Sequence, residues 1–134
     1  MTSQPPGVVL DFPHAIGRHF AFLFTEAGYA VLAANRAAGA EMVGAGSPRC
    51  RICFTLESGA FGILLARPGT PWPFEPQAPA WMPFAELKRN ADARQPGDAL
   101  PDAPATLAGL DDLHAHAVLL RAYLPQLEQA LHPG

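Results

Sequence analysis

The stretch from Arg49 to Arg67 constrains this chain's fold more than any other, because it can close into one β-hairpin whose strands agree on which face is buried. Cys50, Ile52, Phe54 and Leu56 alternate with Arg49, Arg51, Cys53, Thr55 and Glu57, the period of two expected of a strand covered on one side. Ser58-Gly59 supplies the turn. With Glu57 opposite Ala60, Leu56 faces Phe61, Phe54 faces Ile63 and Ile52 faces Leu65, so the large apolar residues fall on one face in register. The other face joins Arg51, Cys53, Thr55 and Glu57 to Gly62, Leu64 and Ala66, a surface too apolar for open water and too polar for a core. Something should cover it, either the chain's own Trp72 and Trp81 or a partner.

The flanking sequence supplies helices and a further strand. Residues 1–10 read as a flexible leader, followed by one domain over 11–134. A first helix is expected from Asp11, its cap, with Ile16, Phe20, Leu23, Phe24 and Ala27 on one apolar face and Gly28 as its stop. Tyr29 to Ala34 reads as a strand. The glycines and alanines from Arg36 to Pro48 indicate a loose connection holding a short extended piece at Glu41-Met42-Val43. Beyond Arg67, prolines at 68, 71, 73, 76, 79 and 83 alternate with Trp72, Phe74, Trp81 and Phe84, a composition that excludes a helix or a central strand over 68–84. A short helix from Pro83 to Arg89 and a linker over 91–105 precede the last element. There Thr106 is the expected cap, and Leu107, Leu110, Leu113, Ala117, Leu120, Leu124, Leu127 and Leu131 form a continuous helical stripe, kinked or restarted at Pro125.

The resulting fold class is α+β: an antiparallel sheet of three to four strands, with an N-terminal helix and a long C-terminal helix packed on one face. The expected order sets the Tyr29–Ala34 strand beside the hairpin. That leaves Phe61 to Leu65 as an edge without a central charge, which invites another strand. The segment around Ala80-Trp81-Met82 or a second copy of the protein would supply it.

Charge and apolar patterning narrow the function classes. A net charge of −3 over 134 residues argues against nucleic acid as a partner, since that affinity comes from clustered Lys and Arg. Arg49, Arg51 and Arg67 gather at the open end of the hairpin and read as a solvated strand end. The longest apolar run, around Phe20 to Phe24, falls well short of the ~20 residues that span a bilayer, and the start of the chain lacks the basic and apolar blocks of a signal peptide. No membrane partner is expected, and the location is read as cytoplasmic. Two cysteines are too few for a disulfide framework.

Few residues point to chemistry. Cys50 and Cys53 have C-x-x-C spacing, but residues three apart on a strand face opposite ways, so no shared metal or disulfide is expected. His14 and His19 lie about 140° apart around a helix, and His114 and His116 about 200°, so neither pair has metal-site geometry. Asp111 with His114 and Asp112 with His116 do share helix faces. No nucleophile motif or phosphate loop is present, and no catalytic residues, metal or cofactor are assigned.

Phe22-Leu23-Phe24-Thr25-Glu26-Ala27-Gly28-Tyr29, the strand ending Leu56-Glu57-Ser58-Gly59, and Ala117-Val118-Leu119-Leu120-Arg121 together resemble the layout of small uncharacterised bacterial proteins, some of them immunity-like. That resemblance implies protein binding. The expected function is therefore a non-enzymatic interaction module, acting on a protein partner or on a second copy as a homodimer. It would use the hairpin's free edge or the proline-aromatic segment, with Trp72, Phe74, Trp81, Phe84, Arg51, Cys53 and Leu64 as binding residues. The alternative is a small-molecule or metal binder, or an enzyme, with a pocket between the last helix and the sheet that uses His114 and His116. Trp72, Phe74, Trp81 and Phe84 are expected to fold back as a lid, because a globular domain rarely exposes that much aromatic surface.

Overall fold

The computed structural model describes residues 12–37, 40–73, 81–104, 106–107 and 112–131. The leader over 1–10, the Asp11 cap, Phe74, Leu110 and Asp111 lie outside the described residues.

The hairpin forms in the register its side chains dictate. Strands β3 (Arg51–Glu57) and β4 (Ala60–Ala66) pair with Glu57 opposite Ala60, Leu56 opposite Phe61, Phe54 opposite Ile63 and Ile52 opposite Leu65. Ser58 and Gly59 take φ of 50° and 81°, the paired left-handed conformation of a tight hairpin turn whose twist matches the strands.

The sheet has five antiparallel strands in sequential order, β1-β2-β3-β4-β5, one more than the upper expectation. The difference lies in the segment read as a loose connection. Strand β1 (Ala30–Ala37) runs on past Asn35, and β2 (Ala40–Gly46) is a full strand between β1 and the hairpin. Its small residues belong to the packing. A Cβ on Gly44 would come within 2.5 Å of the Trp72 ring, and one on Gly46 within 2.7 Å of Leu32. The fifth strand, β5 (Met82–Pro83), pairs with Leu64 and Leu65, so the chain itself supplies a strand beside β4 where one was anticipated.

The helices gather on the Ile52 and Phe54 face. Helices α1 (Phe12–His19) and α2 (Ala21–Thr25) replace the expected single helix, with the break at Phe20, whose ψ is 31°. Ile16, Phe20 and Leu23 stay fully buried, while Phe24 and Ala27 emerge half-buried. Gly28 stops the segment at φ +80°. Helix α3 (Phe84–Arg94) extends beyond Arg89 and takes in residues 91–94, assigned above to the linker.

Helix α4 (Leu113–Leu131) runs unbroken through Pro125, and Ala117, Leu120, Leu124, Leu127 and Leu131 are buried along it as the stripe requires. It starts later than its periodicity implies. Thr106 is bridged to Ala60 instead of capping the helix, and the Leu107 N–H donates to the Gly59 carbonyl. Phe20 and Phe54, with ring centroids 4.7 Å apart, anchor a core in which each fully buried large side chain contributes about 1.5–3 kcal/mol. Among the described residues, no helix is long and apolar enough to cross a membrane.

Candidate functional site

Three places hold the residues singled out above. The first is the outer face of the sheet, carrying Gly44, Arg51, Cys53, Thr55 and Leu64. Trp72 lies against Gly44 and is 8% exposed. Trp81 stacks on Trp72 at 5.6 Å and donates its indole N–H to the Pro71 carbonyl at 2.9 Å. Arg51 lies over the Trp72 ring at 4.5 Å and donates to the Thr70 carbonyl at 2.6 Å. Trp72 and Trp81 therefore lie back on the sheet, and the Arg51 guanidinium holds the segment after β4 by ring and carbonyl together. Cys53 is fully buried on this face and Cys50 on the other; burial pushes both thiols up to about 12. Phe84 parts company with the tryptophans, opening α3 and meeting Tyr123 edge-on from the core side.

The second place is a cavity of about 250 Å³ at the outer edge of β4, lined by Phe61, Ile63, Leu64, Phe84, His116 and Leu119. The two histidines of α4 separate as the helical period requires: His116 is buried against this cavity and His114 is exposed. The His116 Nε2 is 2.7 Å from the Pro104 carbonyl. A carbonyl can only accept, so this nitrogen carries the proton. Burial lowers the imidazole's pKa, against smaller opposing effects of the Pro104 bond and the Asp112 carboxylate.

Lys88 sits at the same rim, 4% exposed. Its ammonium lies 2.8 Å from Asp92 and 2.9 Å from Asp102. Burial would lower its pKa, yet the two carboxylates outweigh that effect and raise it. Tyr123 donates to Asp92 and accepts the Leu100 N–H at 3.0 Å. Lys88 and His116 thus hold the segment over 99–104 against α3 and α4. Sequence reasoning missed Lys88, for which an i,i+4 partner at Asp92 was the available signal.

The third place is the outer edge of β1. Val31 and Leu32 are 54% and 53% exposed, and a register shift separates Val31 from Ala33. In an antiparallel ladder each residue directs its N–H and C=O to the same neighbour. The Ser47 N–H bond to the Cys50 carbonyl closes the β2–β3 turn, which turns Val43 and Ala45 toward β3 and Gly44 toward β1. Ala33 and Asn35 accordingly bond β2, and Ala34 and Arg36 direct their main-chain groups away from the sheet.

A larger open cleft of about 500 Å³ lies between α2 and α4. Its charges are paired: Arg121 with Glu26 at 2.8 Å, and Arg49 with Glu128 at 3.1 Å. Arg49 also donates to the Ala27 carbonyl, and Tyr29 donates to Glu128 at 2.6 Å. These bonds tie α2 and the start of β1 to α4. Among the described residues, no group of three His, Cys, Asp or Glu side chains could hold a metal ion. Compared with known proteins, the chain matches no family model, no curated protein and no solved structure.

Proposed function

We propose that this chain is a non-enzymatic protein-interaction module that takes an extended segment of a protein partner along the outer edge of β1. The observation that carries this reading is the exposure of Val31 and Leu32 on an outer strand where Ala34 directs its main-chain groups outward. Strand addition draws its affinity from such groups and its selectivity from neighbouring side chains. Edges not meant for pairing are usually guarded by charge, yet Ala30 to Asn35 carries none. The side chains that resemble catalytic groups are occupied elsewhere: Lys88, Asp92, His116 and Glu128 all bond within the fold. A second copy pairing β1 against β1 is one form of this interaction. Buried, unpaired cysteines suit a reducing compartment, and we place the module in the cytoplasm on that ground.

The test is selection of binders from displayed random extended peptides, followed by amide exchange on the bound chain. Binding should protect the Ala34 amide. It should be lost in Ala34→Pro, which removes an outward N–H at an edge position where proline is tolerated, with the melting temperature little changed. Light scattering reports the self-paired form. Binders that leave residues 30–37 unperturbed, together with a strict monomer, would refute this reading.

A further inference from the structure

We propose that the segment from Gln95 to Pro104 is a strap that lifts locally off α3 and α4 in mild acid, with His116 as its latch. Every residue along it is exposed except Ala103, which is half-buried. The strap stands off the body of the protein over much of its length. Spaces of about 240 Å³ and 220 Å³ lie between it and α3 and at the junction of α3 with α4, and Asp102 and Ala103 form one wall of the cavity of about 250 Å³ against β4.

What holds the strap is polar. The Leu100 N–H donates to the Tyr123 hydroxyl at 3.0 Å, Asp102 pairs with Lys88 at 2.9 Å, and the Pro104 carbonyl accepts from His116 at 2.7 Å. Of its apolar side chains, Ala103 packs against the core, while Leu100 is 38% exposed. A segment with so few buried apolar contacts opens at far lower cost than the whole fold. Its two ends are fixed, the Gln95 N–H on the Ala91 carbonyl and, beyond Pro104, the Leu107 N–H on the Gly59 carbonyl. Opening is therefore an outward bulge between two anchors.

Acid acts through the place of the ring. His116 is 9% exposed, meeting Phe61 edge-on from the sheet and Pro104 from the strap. Phe61 is held in the β3–β4 ladder, so the strap is the cover that can be removed. The charged groups around the ring, among the described residues, are Lys88 on α3, which lines the same cavity, its partner Asp102 on the strap, and Asp112 one turn earlier on α4. Asp112 favours the imidazolium, but burial outweighs it and holds the ring's pKa below its ordinary value. Lifting the strap admits water and removes that penalty. The open form therefore takes the proton more readily than the closed one, and opening grows as pH falls below about 6.5. The Nε2 proton is present in both charge states, so the drive is the cost of burying the cation and not the loss of the Pro104 bond.

The test is amide hydrogen exchange followed by NMR on the full chain, corrected for the intrinsic effect of pH, with Leu100 as reporter of the strap and Ile52 and Phe54 as reporters of the core. At pH 7 the Leu100 amide should be protected at least ~100-fold less than the core amides. Its exchange should also depend only weakly on urea, because little surface is exposed when it opens. Between pH 7 and pH 5.5 the Leu100 protection should fall several-fold, and in His116→Gln, which keeps a donor for Pro104 without titrating, it should stay level. If that variant loses its fold, the urea and pH dependence of Leu100 in the unaltered chain decide alone. Leu100 protection equal to that of the core, a urea dependence as steep as the core's, or protection that does not change with pH would each overturn the proposal. The β1 edge plays no part, so Ala34→Pro should leave the strap's behaviour intact, and either reading can fail without the other.

Discussion

Trp72 fills the space that a side chain at Gly44 would need: a Cβ there would fall 2.5 Å from Cζ3 and 2.7 Å from both Cε3 and Cη2 of the indole. The ring cannot retreat easily, since Trp81 stacks on it and Arg51 lies over it. Gly44→Ala is therefore expected to destabilise the fold by about 1–3 kcal/mol, the usual range for overpacking. Urea denaturation followed by tryptophan fluorescence measures both the loss and the displacement of the stacked pair. An unchanged midpoint with an unchanged emission maximum would contradict the close packing.

The two thiols provide a second check on the same lid. Cys50 lies under the helices and Cys53 on the face that Trp72 covers, and burial pushes each up to about 12. A thiol that is both buried and protonated is a poor nucleophile. Maleimide labelling at neutral pH should be slow for both in the native chain and complete once it is unfolded. In Trp72→Ala, Cys53 should become reactive well before Cys50; equal rates would show that the tryptophan does not shield that face.

How much of this was legible in the sequence differs from element to element for physical reasons. The hairpin was fully readable, register included, because alternation and a two-residue turn both act locally. Strand β2 was not. Its glycines argue against a strand by propensity, and they are there because Trp72 and Leu32, distant in sequence, need the room. Helix α4 was readable along its stripe but not at its start, where Leu107 keeps the spacing and yet spends its N–H on Gly59. The helical period also separated His116 from His114. It could not show that His116 would meet Phe61 edge-on at 4.7 Å. The expected order already left the Tyr29–Ala34 strand outermost, and what the sequence did not reveal was that β2 would lie between it and the hairpin.

Lys88 distinguishes its two carboxylate partners. Asp92 is the more buried of the two and is fixed by both Lys88 and Tyr123, with Lys88 the larger cause of its lowered pKa. The Asp102 side chain is 82% exposed. Exposed ion pairs contribute little after solvent screening. Asp102→Asn should therefore lower the melting temperature only slightly, and Asp92→Asn should lower it clearly more. Lys88→Ala should lower it most, since it also removes a buried side chain whose ammonium lies over the Tyr123 ring. Calorimetry on the three variants supplies the order; a larger effect at Asp102 than at Asp92 would contradict the network as described.

The buried imidazole of His116 predicts how stability changes with acid. Its folded pKa lies below the ordinary 6.5, chiefly because burial disfavours the cation. The unfolded chain therefore takes up this proton more readily than the folded one, and stability rises with pH through the window between the two values. The contribution is fully present above about pH 6.5 and is lost as pH falls below it toward the folded value. The groups facing the ring are the Pro104 carbonyl, the Phe61 ring and, one turn away, the Asp112 carboxylate. His116→Gln retains a donor for Pro104 without titrating. The melting temperature of the unaltered chain should fall as pH drops from 6.5 to 5, and that slope should flatten in the variant. Parallel slopes would place the acid sensitivity elsewhere in the fold.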